Sequence, residues 1–358
     1  MRSSSVAAWL CLAAQHPIAV SACGDRPCAS GPRRDDRSHF GVINTDELRL
    51  ADELVLDGFR DPEEVRVRYG TDLKSENGLW EIRPSPGKGL GLFALRAIPK
   101  GTRIVDESPL FTIDPGELVK GQGFAFGAIA TAVDAAFSGL NATARAAYLS
   151  CPEHRGADDA GWSREALIFR TNGYTMAGGG AIGIFPRIAK VNHSCRPNAG
   201  NVDVGGRRVI WAGREIAAGE EVTTTYAPLA QATEERRARL AQWGFRCDCR
   251  ACAGREDDGK RVEIKRLMDV VERELGRDAF GGDVLLDAEK LVSLVEELGL
   301  ADYLGKAYKY AAFAASRSGN VGSARLWAMK ELSVHEFADT ESGYARKARA
   351  FLNSLPPD

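Results

Sequence analysis

Eight consecutive residues, Asn192-His193-Ser194-Cys195-Arg196-Pro197-Asn198-Ala199, set an amide, an imidazole, a thiol and a turn-forming proline side by side. Further along, Cys247, Cys249 and Cys252 form a tight Cys-x-Cys-x-x-Cys run. Amides and imidazoles are the donors and acceptors that orient a bound small molecule, and thiolates are ligands for a soft or borderline metal. We read the octapeptide as holding a cofactor with its first half and a metal through Cys195. The cysteine run has two other readings: chance clustering of buried thiols, and a disulfide network. Close neighbours in so tight a cluster pair poorly with one another, which favours metal ligation. Zinc thiolate sites belong mostly to reducing compartments.

Composition bounds what surrounds these residues. The chain has 358 residues, room for one large or two modest domains. It is 44% hydrophobic and 27% charged, as ordinary globular proteins are. A formal net charge of -2 gives no basic footprint for duplex binding. No apolar run reaches the roughly 18 residues that span a bilayer. Residues 1–22 pull in another direction. Arg2 precedes Val6-Ala7-Ala8-Trp9-Leu10-Cys11-Leu12-Ala13-Ala14, and small residues follow at Ala19, Ser21 and Ala22. That is the pattern of a short secretory signal, interrupted by His16 and Pro17; an unstructured leader or a wrongly chosen start site is the alternative. Asn192-His193-Ser194 is itself a glycosylation sequon, and a glycan there would block the site, which weighs against secretion.

Elements that could position the chemistry follow along the chain. Residues 23–40 read as disordered, and 45–69 carry a helical pattern. Strands are predicted over 79–83, 92–95 and 102–107, with turns at Ser85–Gly91 and Pro99–Gly101. Glycines at 87, 89 and 91 suit a loop whose backbone closely approaches something. The loop lacks the Lys-Ser/Thr ending of a phosphate loop and opens no helix, so a nucleotide phosphate site is rejected. Residues 115–172 read as mostly helical and alanine-rich. Asn201 to Ala212 reads as a hairpin turning on Gly205-Gly206, followed by a β-branched strand ending at Tyr226. Thr233 to Trp243 is a charged helix, and helices are predicted over 262–276, 286–299, 301–317, 322–338 and 340–354.

Four stretches taken together resemble a known family. Gly87-Lys88-Gly89-Leu90-Gly91-Leu92-Phe93-Ala94, the Asn192–Asn198 segment, Gly219-Glu220-Glu221-Val222 to Tyr226, and Cys247-x-Cys249-x-x-Cys252 are similar, in this order, to a SET-domain lysine methyltransferase with post-SET cysteines. The helical insert and helical tail resemble the SET- and MYND-containing branch. The resemblance implies an α+β fold: small curved sheets with a pseudoknot that brings Asn192 and His193 beside Tyr226. A post-SET zinc segment and a C-terminal helical, TPR-like domain would follow. The expected divisions are a leader over 1–40, a helical extension over 41–78, a SET domain over 79–232 with a helical insert at about 108–170, a zinc segment over 233–256, and a helical domain over 257–358.

The same resemblance implies S-adenosylmethionine as cofactor and structural Zn2+. It implies Tyr226 as the catalytic tyrosine, and Lys88, Gly89, Leu90, Gly91, Asn172, Asn192, His193, Tyr226 and Phe245 as cofactor contacts. Tyr174 and Trp243 would line the substrate channel. Cys195 would complete the metal set with Cys247, Cys249 and Cys252. Two departures stand out. Only Cys151 lies between Glu107 and Asn172, so no MYND finger is expected. Trp243 stands where that branch often has a channel tyrosine, and an indole N–H cannot accept a hydrogen bond. The expected activity is methyl transfer to a lysine of a histone or non-histone protein, without nucleic-acid or membrane binding, by a monomer in nucleus or cytoplasm. A secreted or organellar location follows instead if the leader is a targeting signal. The competing reading is a catalytically silent scaffold that keeps fold and zinc and docks partners.

Overall fold

The computed structural model of the chain describes residues 74–116, 126–177, 180–277 and 283–356. The leader and the helical pattern of residues 45–69 lie outside the described residues.

Ten short strands make three small sheets: β1 (Trp80–Ser85), β2 (Gly89–Ala94), β3 (Arg103–Glu107), β4 (Phe111–Ile113), β5 (Tyr174–Thr175), β6 (Ile182–Ile184), β7 (Asn192–His193), β8 (Ala199–Val204), β9 (Arg207–Ala212) and β10 (Glu221–Thr224). The sheet orders are β1-β2-β10-β7, β3-β9-β8 and β4-β6-β5. Trp80 and Ile82 point into the core while Arg83 is exposed, the period-two pattern of a half-buried strand. The turn into β2 uses Gly87 at φ 70° and Gly89 at φ 73°, a backbone region that favours glycine. The β8–β9 hairpin turns on Gly205-Gly206, both at positive φ, as a two-residue primed turn requires.

One relation is topologically unusual. β7 lies parallel to β10, with Asn192 opposite Thr223 and His193 opposite Thr224. Parallel neighbours need a long crossover, supplied here by β8, β9 and the turn after them. Asn198 locks the crossing. Its buried amide donates to the Glu221 carbonyl at 2.8 Å and accepts from the Thr223 N–H at 2.8 Å, standing in for a strand neighbour.

The helices are α1 (Phe126–Ser138), α2 (Ala142–Leu149), α3 (Arg164–Asn172), α4 (Thr233–Leu240), α5 (Arg250–Gly254), α6 (Asp258–Leu275), α7 (Val284–Glu297), α8 (Ala301–Arg317), α9 (Val321–Ala338) and α10 (Gly343–Ser354). Side-chain caps start several of them: Asn141 accepts from the Ala144 N–H, Ser163 from Ala166, Asn320 from Ser323 and Ser342 from Ala345. Phe126, Ile129, Ala130 and Val133 form the buried stripe of α1, at helical spacing. The stretch read as a helical insert over about 108–170 therefore needs correction at its start. It opens with β4, whose three residues pair with Ile182–Ile184, so Phe111 and Ile113 belong to a sheet. Among the described residues, no helix is long and apolar enough to cross a membrane.

Three cores meet at the site. One lies within the first sheets, around Leu92, Ile98, Phe185 and Val222. A second lies under the insert, around Phe126, Phe169 and Ile184. The third runs from Cys195, Cys247 and Cys252 into the tail, through Ile264, Leu291 and Ala311. Tail and sheets are joined by polar bonds as well: the Asn201 N–H donates to Asp302 Oδ1 at 2.9 Å, and the Leu229 N–H to the Tyr303 hydroxyl at 3.0 Å.

Candidate active site and metal centre

The parallel β7–β10 pair sets the site. Two residues beyond β10, the Tyr226 N–H donates to His193 Nδ1 at 3.0 Å, and the two rings lie 5.4 Å apart. The Tyr226 hydroxyl donates to the Val191 carbonyl at 2.8 Å. Burial pushes that hydroxyl well above its ordinary value, so the phenol is neutral at any physiological pH. Pro152, Thr171, Asn172, Tyr174, Ala189, Tyr226 and Trp243 line one small pocket. It thus brings together four residues singled out from the sequence: Asn172, Tyr174, Tyr226 and Trp243.

Each lining side chain is held by its surroundings. The Asn172 amide nitrogen donates to the Pro152 and Ile168 carbonyls at 2.6 and 2.7 Å, so its Oδ1 is the atom left for a ligand. Tyr174 is buried, with the Arg208 guanidinium 4.3 Å from its ring centre. The Trp243 indole N–H donates to the Thr171 carbonyl at 2.9 Å, and its ring lies 5.4 Å from that of Tyr226. Phe245 packs 6.1 Å from the His193 ring and 6.5 Å from the Tyr226 ring.

A second group lies on the edge of β2. Asn192 donates to the Leu90 carbonyl at 3.0 Å and to Glu221 Oε1 at 2.7 Å. Lys88 Nζ lies 3.0 Å from Glu221 Oε2. A Cβ on Gly91, within β2, would come within 2.4 Å of Glu221 Oε1, so a side chain there would displace the carboxylate from Asn192. Asn192, next to His193 on β7, thus ties that strand to the β2 edge. The sequence reading missed Glu221, although it lies in the quoted Gly219-Glu220-Glu221 run; nothing in the spacing separates it from Glu220.

His193 is bonded on both sides of its ring. Both ring nitrogens have partners within the protein: Nδ1 accepts from Tyr226, and Nε2 lies 3.2 Å from Cys195 Sγ. Because Nδ1 is an acceptor, Nε2 carries the proton and points it at sulfur. The imidazole is committed to the protein on both sides.

The four sulfurs of Cys195, Cys247, Cys249 and Cys252 lie within 4.8 Å of one another. Tetrahedral zinc at about 2.3 Å from each sulfur would set them about 3.8 Å apart. Cys195 Sγ is 3.9 Å from Cys247 Sγ and 3.5 Å from Cys252 Sγ, so the donor set fits zinc, with the widest pair drawing in by about 1 Å to reach tetrahedral spacing. Hydrogen bonding from Cys195 and then Cys247 holds the Cys252 thiol down at about 6, while bonding first to Cys247 pushes Cys195 far up. Four crowded sulfurs that compete for protons are the chemistry a dication relieves.

Two buried arginines complete this knot, and the sequence reading named neither. Arg236, fully buried, directs Nε at Cys195 Sγ (3.3 Å) and Nη2 at Cys252 Sγ (3.6 Å), with Asp258 at 3.3 Å on its other side. Arg261 bonds the Cys195 and Leu229 carbonyls at 2.7 and 2.9 Å. A cation beside a tetrathiolate offsets its excess negative charge. A signal for Arg236 was present: Thr233, Arg236 and Leu240 fall at i, i+3 and i+7, the buried stripe of α4.

Comparison with known proteins agrees with this geometry. Residues 89–227 match the SET domain family. The chain is 42% identical over 96 residues to N-lysine methyltransferase SMYD2 of Gallus gallus, covering 26% of this chain and 22% of that protein. Human SMYD2 is 41% identical over the same length, with the same coverage. Mouse SMYD2 is 34% identical over 141 residues, 37% of this chain and 30% of that protein. The aligned part thus spans only 22% to 30% of the length of these relatives.

Proposed function

We propose, from a SET domain related to that of the SMYD branch, that this chain is an S-adenosylmethionine-dependent protein-lysine N-methyltransferase. The observation that carries the reading is the parallel pairing of Asn192–His193 with Thr223–Thr224, which holds Tyr226 against the lined pocket. Bound S-adenosylmethionine supplies an electrophilic methyl carbon to the lysine lone pair and leaves as a neutral thioether. The residues present suit that ligand. Lys88 offers an ammonium for its carboxylate. Asn192, whose amide nitrogen is already engaged, offers Oδ1 to its amino group. Phe245 offers an aromatic face for its adenine.

The protein's own work is alignment and desolvation. Free lysine, with pKa near 10.4, is neutral in roughly one molecule of a few thousand at pH 7. An apolar channel walled by Tyr174, Trp243 and Ala189 lowers that value by disfavouring the cation. Tyr226, kept neutral by burial, orients amine and methyl through hydrogen bonds and weak C–H···O contacts and does not act as a base. Residues 79–232 form the catalytic unit in this reading, 233–256 the zinc segment and 257–358 a helical domain that buttresses it. Zinc thiolates favour a reducing compartment, so nucleus or cytoplasm is the expected location, with a monomer acting on histone or other protein lysines.

Isothermal titration of the zinc-loaded chain with S-adenosylmethionine tests the reading. One-to-one binding with micromolar or tighter affinity supports it. The absence of binding heat at millimolar ligand favours the silent scaffold.

A further inference from the structure

We propose that His193 is a positioning residue that ties the metal knot to the main chain of Tyr226, so that occupancy of the four-cysteine site sets how firmly that tyrosine is held. The inference rests on the methyltransferase reading only for its functional meaning; the link itself is geometric. Cys195 is one of the four sulfurs and receives two N–H donors, His193 Nε2 at 3.2 Å and Arg236 Nε at 3.3 Å. The opposite nitrogen of the same imidazole accepts the Tyr226 N–H at 3.0 Å. An imidazole is rigid, so its two nitrogens cannot move independently. If Cys195 shifts, Nε2 is drawn with it or loses that acceptor, and the rigid ring carries Nδ1 away from its place on the Tyr226 amide.

Among the described residues, His193 Nδ1 is the acceptor of that amide. β10 ends at Thr224, and its parallel pairing with β7 stops at His193. Past that point the chain leaves the sheet, and the imidazole carries the strand register two residues further. The ring is buried, and Phe245, which lies in the same cysteine-bearing segment as the knot, packs on it at 6.1 Å. A metal that fixes Cys195 as a thiolate gives Nε2–H its best acceptor, because charge-assisted hydrogen bonds are roughly twice as strong as neutral ones. A histidine satisfied merely as core packing would leave Tyr226 responding to zinc alike in wild type and in a His193 variant, through Trp243 and Phe245, whose rings pack on it.

Amide hydrogen–deuterium exchange at Tyr226 in the full chain reads this directly, comparing zinc-loaded protein with protein stripped by a chelator. The expected result is exchange about tenfold faster after stripping, the loss of one net hydrogen bond. His193→Asn supplies the second arm. Its Oδ1 replaces Nδ1 as acceptor, but the shorter side chain cannot reach Cys195, so the zinc dependence of Tyr226 exchange disappears. Equal exchange in loaded and stripped wild type overturns the proposal. So does a His193→Asn variant whose Tyr226 amide still responds to zinc as wild type does. If that variant fails to fold, the Ala227 amide of wild type, held by Thr225 Oγ1 at 3.2 Å, is the control: a rise at Tyr226 without one at Ala227 supports the tether, and an equal rise at both overturns it. The measurement uses neither cofactor nor substrate, so the tether and the methyl-transfer reading fail independently.

Discussion

The hydroxyl of Tyr226 donates a 2.8 Å hydrogen bond to the main-chain carbonyl of Val191, the residue immediately before β7. The phenol is thereby fixed at both ends, its backbone by His193 and its hydroxyl by Val191. Replacing it tests the hydroxyl alone. Tyr226→Phe is expected to lower methyl transfer by about ten- to a hundredfold, since one oriented hydrogen bond contributes about 1–3 kcal/mol at the reacting centre. Cofactor affinity, measured by calorimetry on the same variant, is expected to change less than about threefold. A large loss of affinity with an unchanged single-turnover rate would assign the hydroxyl to binding.

Cys195 is expected to be the ligand whose loss opens the knot. In Cys195→Ser, zinc per chain measured by elemental analysis falls below one, and S-adenosylmethionine affinity drops by about tenfold or more, because the segment bearing Trp243 and Phe245 is no longer pinned. Full zinc occupancy in this variant would contradict the four-sulfur site.

Arg236 is expected to matter for stability and metal retention together. It is fully buried, with Cys195, Cys252, Thr233 and Asp258 as partners. Arg236→Gln leaves those groups without their cation. Denaturant unfolding should report a loss of about 3 kcal/mol, in the range for breaking a buried charged network. Zinc release to a colorimetric chelator should be faster than from wild type. Wild-type release kinetics would show that the guanidinium packs there without offsetting charge.

Acid should loosen the insert through a different pair. Asp159 accepts both Arg170 Nη1 and Nη2 at 2.6 Å and the Gly156 N–H at 2.7 Å. The Arg170 hydrogen bonds hold its carboxyl below the ordinary value of 3.8. A depressed folded value means the unfolded chain binds the proton first. The pair's stabilisation is therefore fully present above the unfolded value and is lost as pH falls below it through the folded one. Arg170 lies on α3, which ends in Asn172, so the pair also anchors a pocket wall. Asp159→Asn is expected to cost about 2 kcal/mol at pH 7 and to flatten the acid limb of thermal stability. An unchanged acid limb would show that other carboxylates set it.

Legibility from sequence followed the length of the signal. The tail helices were predicted over 262–276, 286–299, 301–317, 322–338 and 340–354 and are observed at Asp258–Leu275, Val284–Glu297, Ala301–Arg317, Val321–Ala338 and Gly343–Ser354. Long helices repeat their apolar stripe several times, as Val284, Ala288, Leu291 and Val295 do in α7, and glycines mark their ends. The Cys247-x-Cys249-x-x-Cys252 run was legible because thiols at that spacing have few uses, while Cys195 as fourth ligand came from the family resemblance. A three-residue strand such as β4 has no period to read, and its partner β6 lies some seventy residues away across the helices. Arg261 and Glu221 were hidden for another reason: a lone charged residue looks the same in sequence whether it faces water or a buried partner, whereas Arg236 at least falls on the buried stripe of α4. The orientation of the His193 ring likewise depends on Tyr226 and Cys195 converging from two elements, which no local pattern encodes.

The most direct test of the whole account is mass-spectrometric detection of methyl-lysine after zinc-loaded chain and isotope-labelled S-adenosylmethionine are mixed with a cell lysate, with Tyr226→Phe run in parallel. The account predicts labelled methyl groups on lysine side chains of particular proteins, reduced about tenfold or more by the substitution. Labelled lysine no more abundant than in lysate without the chain, from protein that binds the cofactor and carries its zinc, would contradict it.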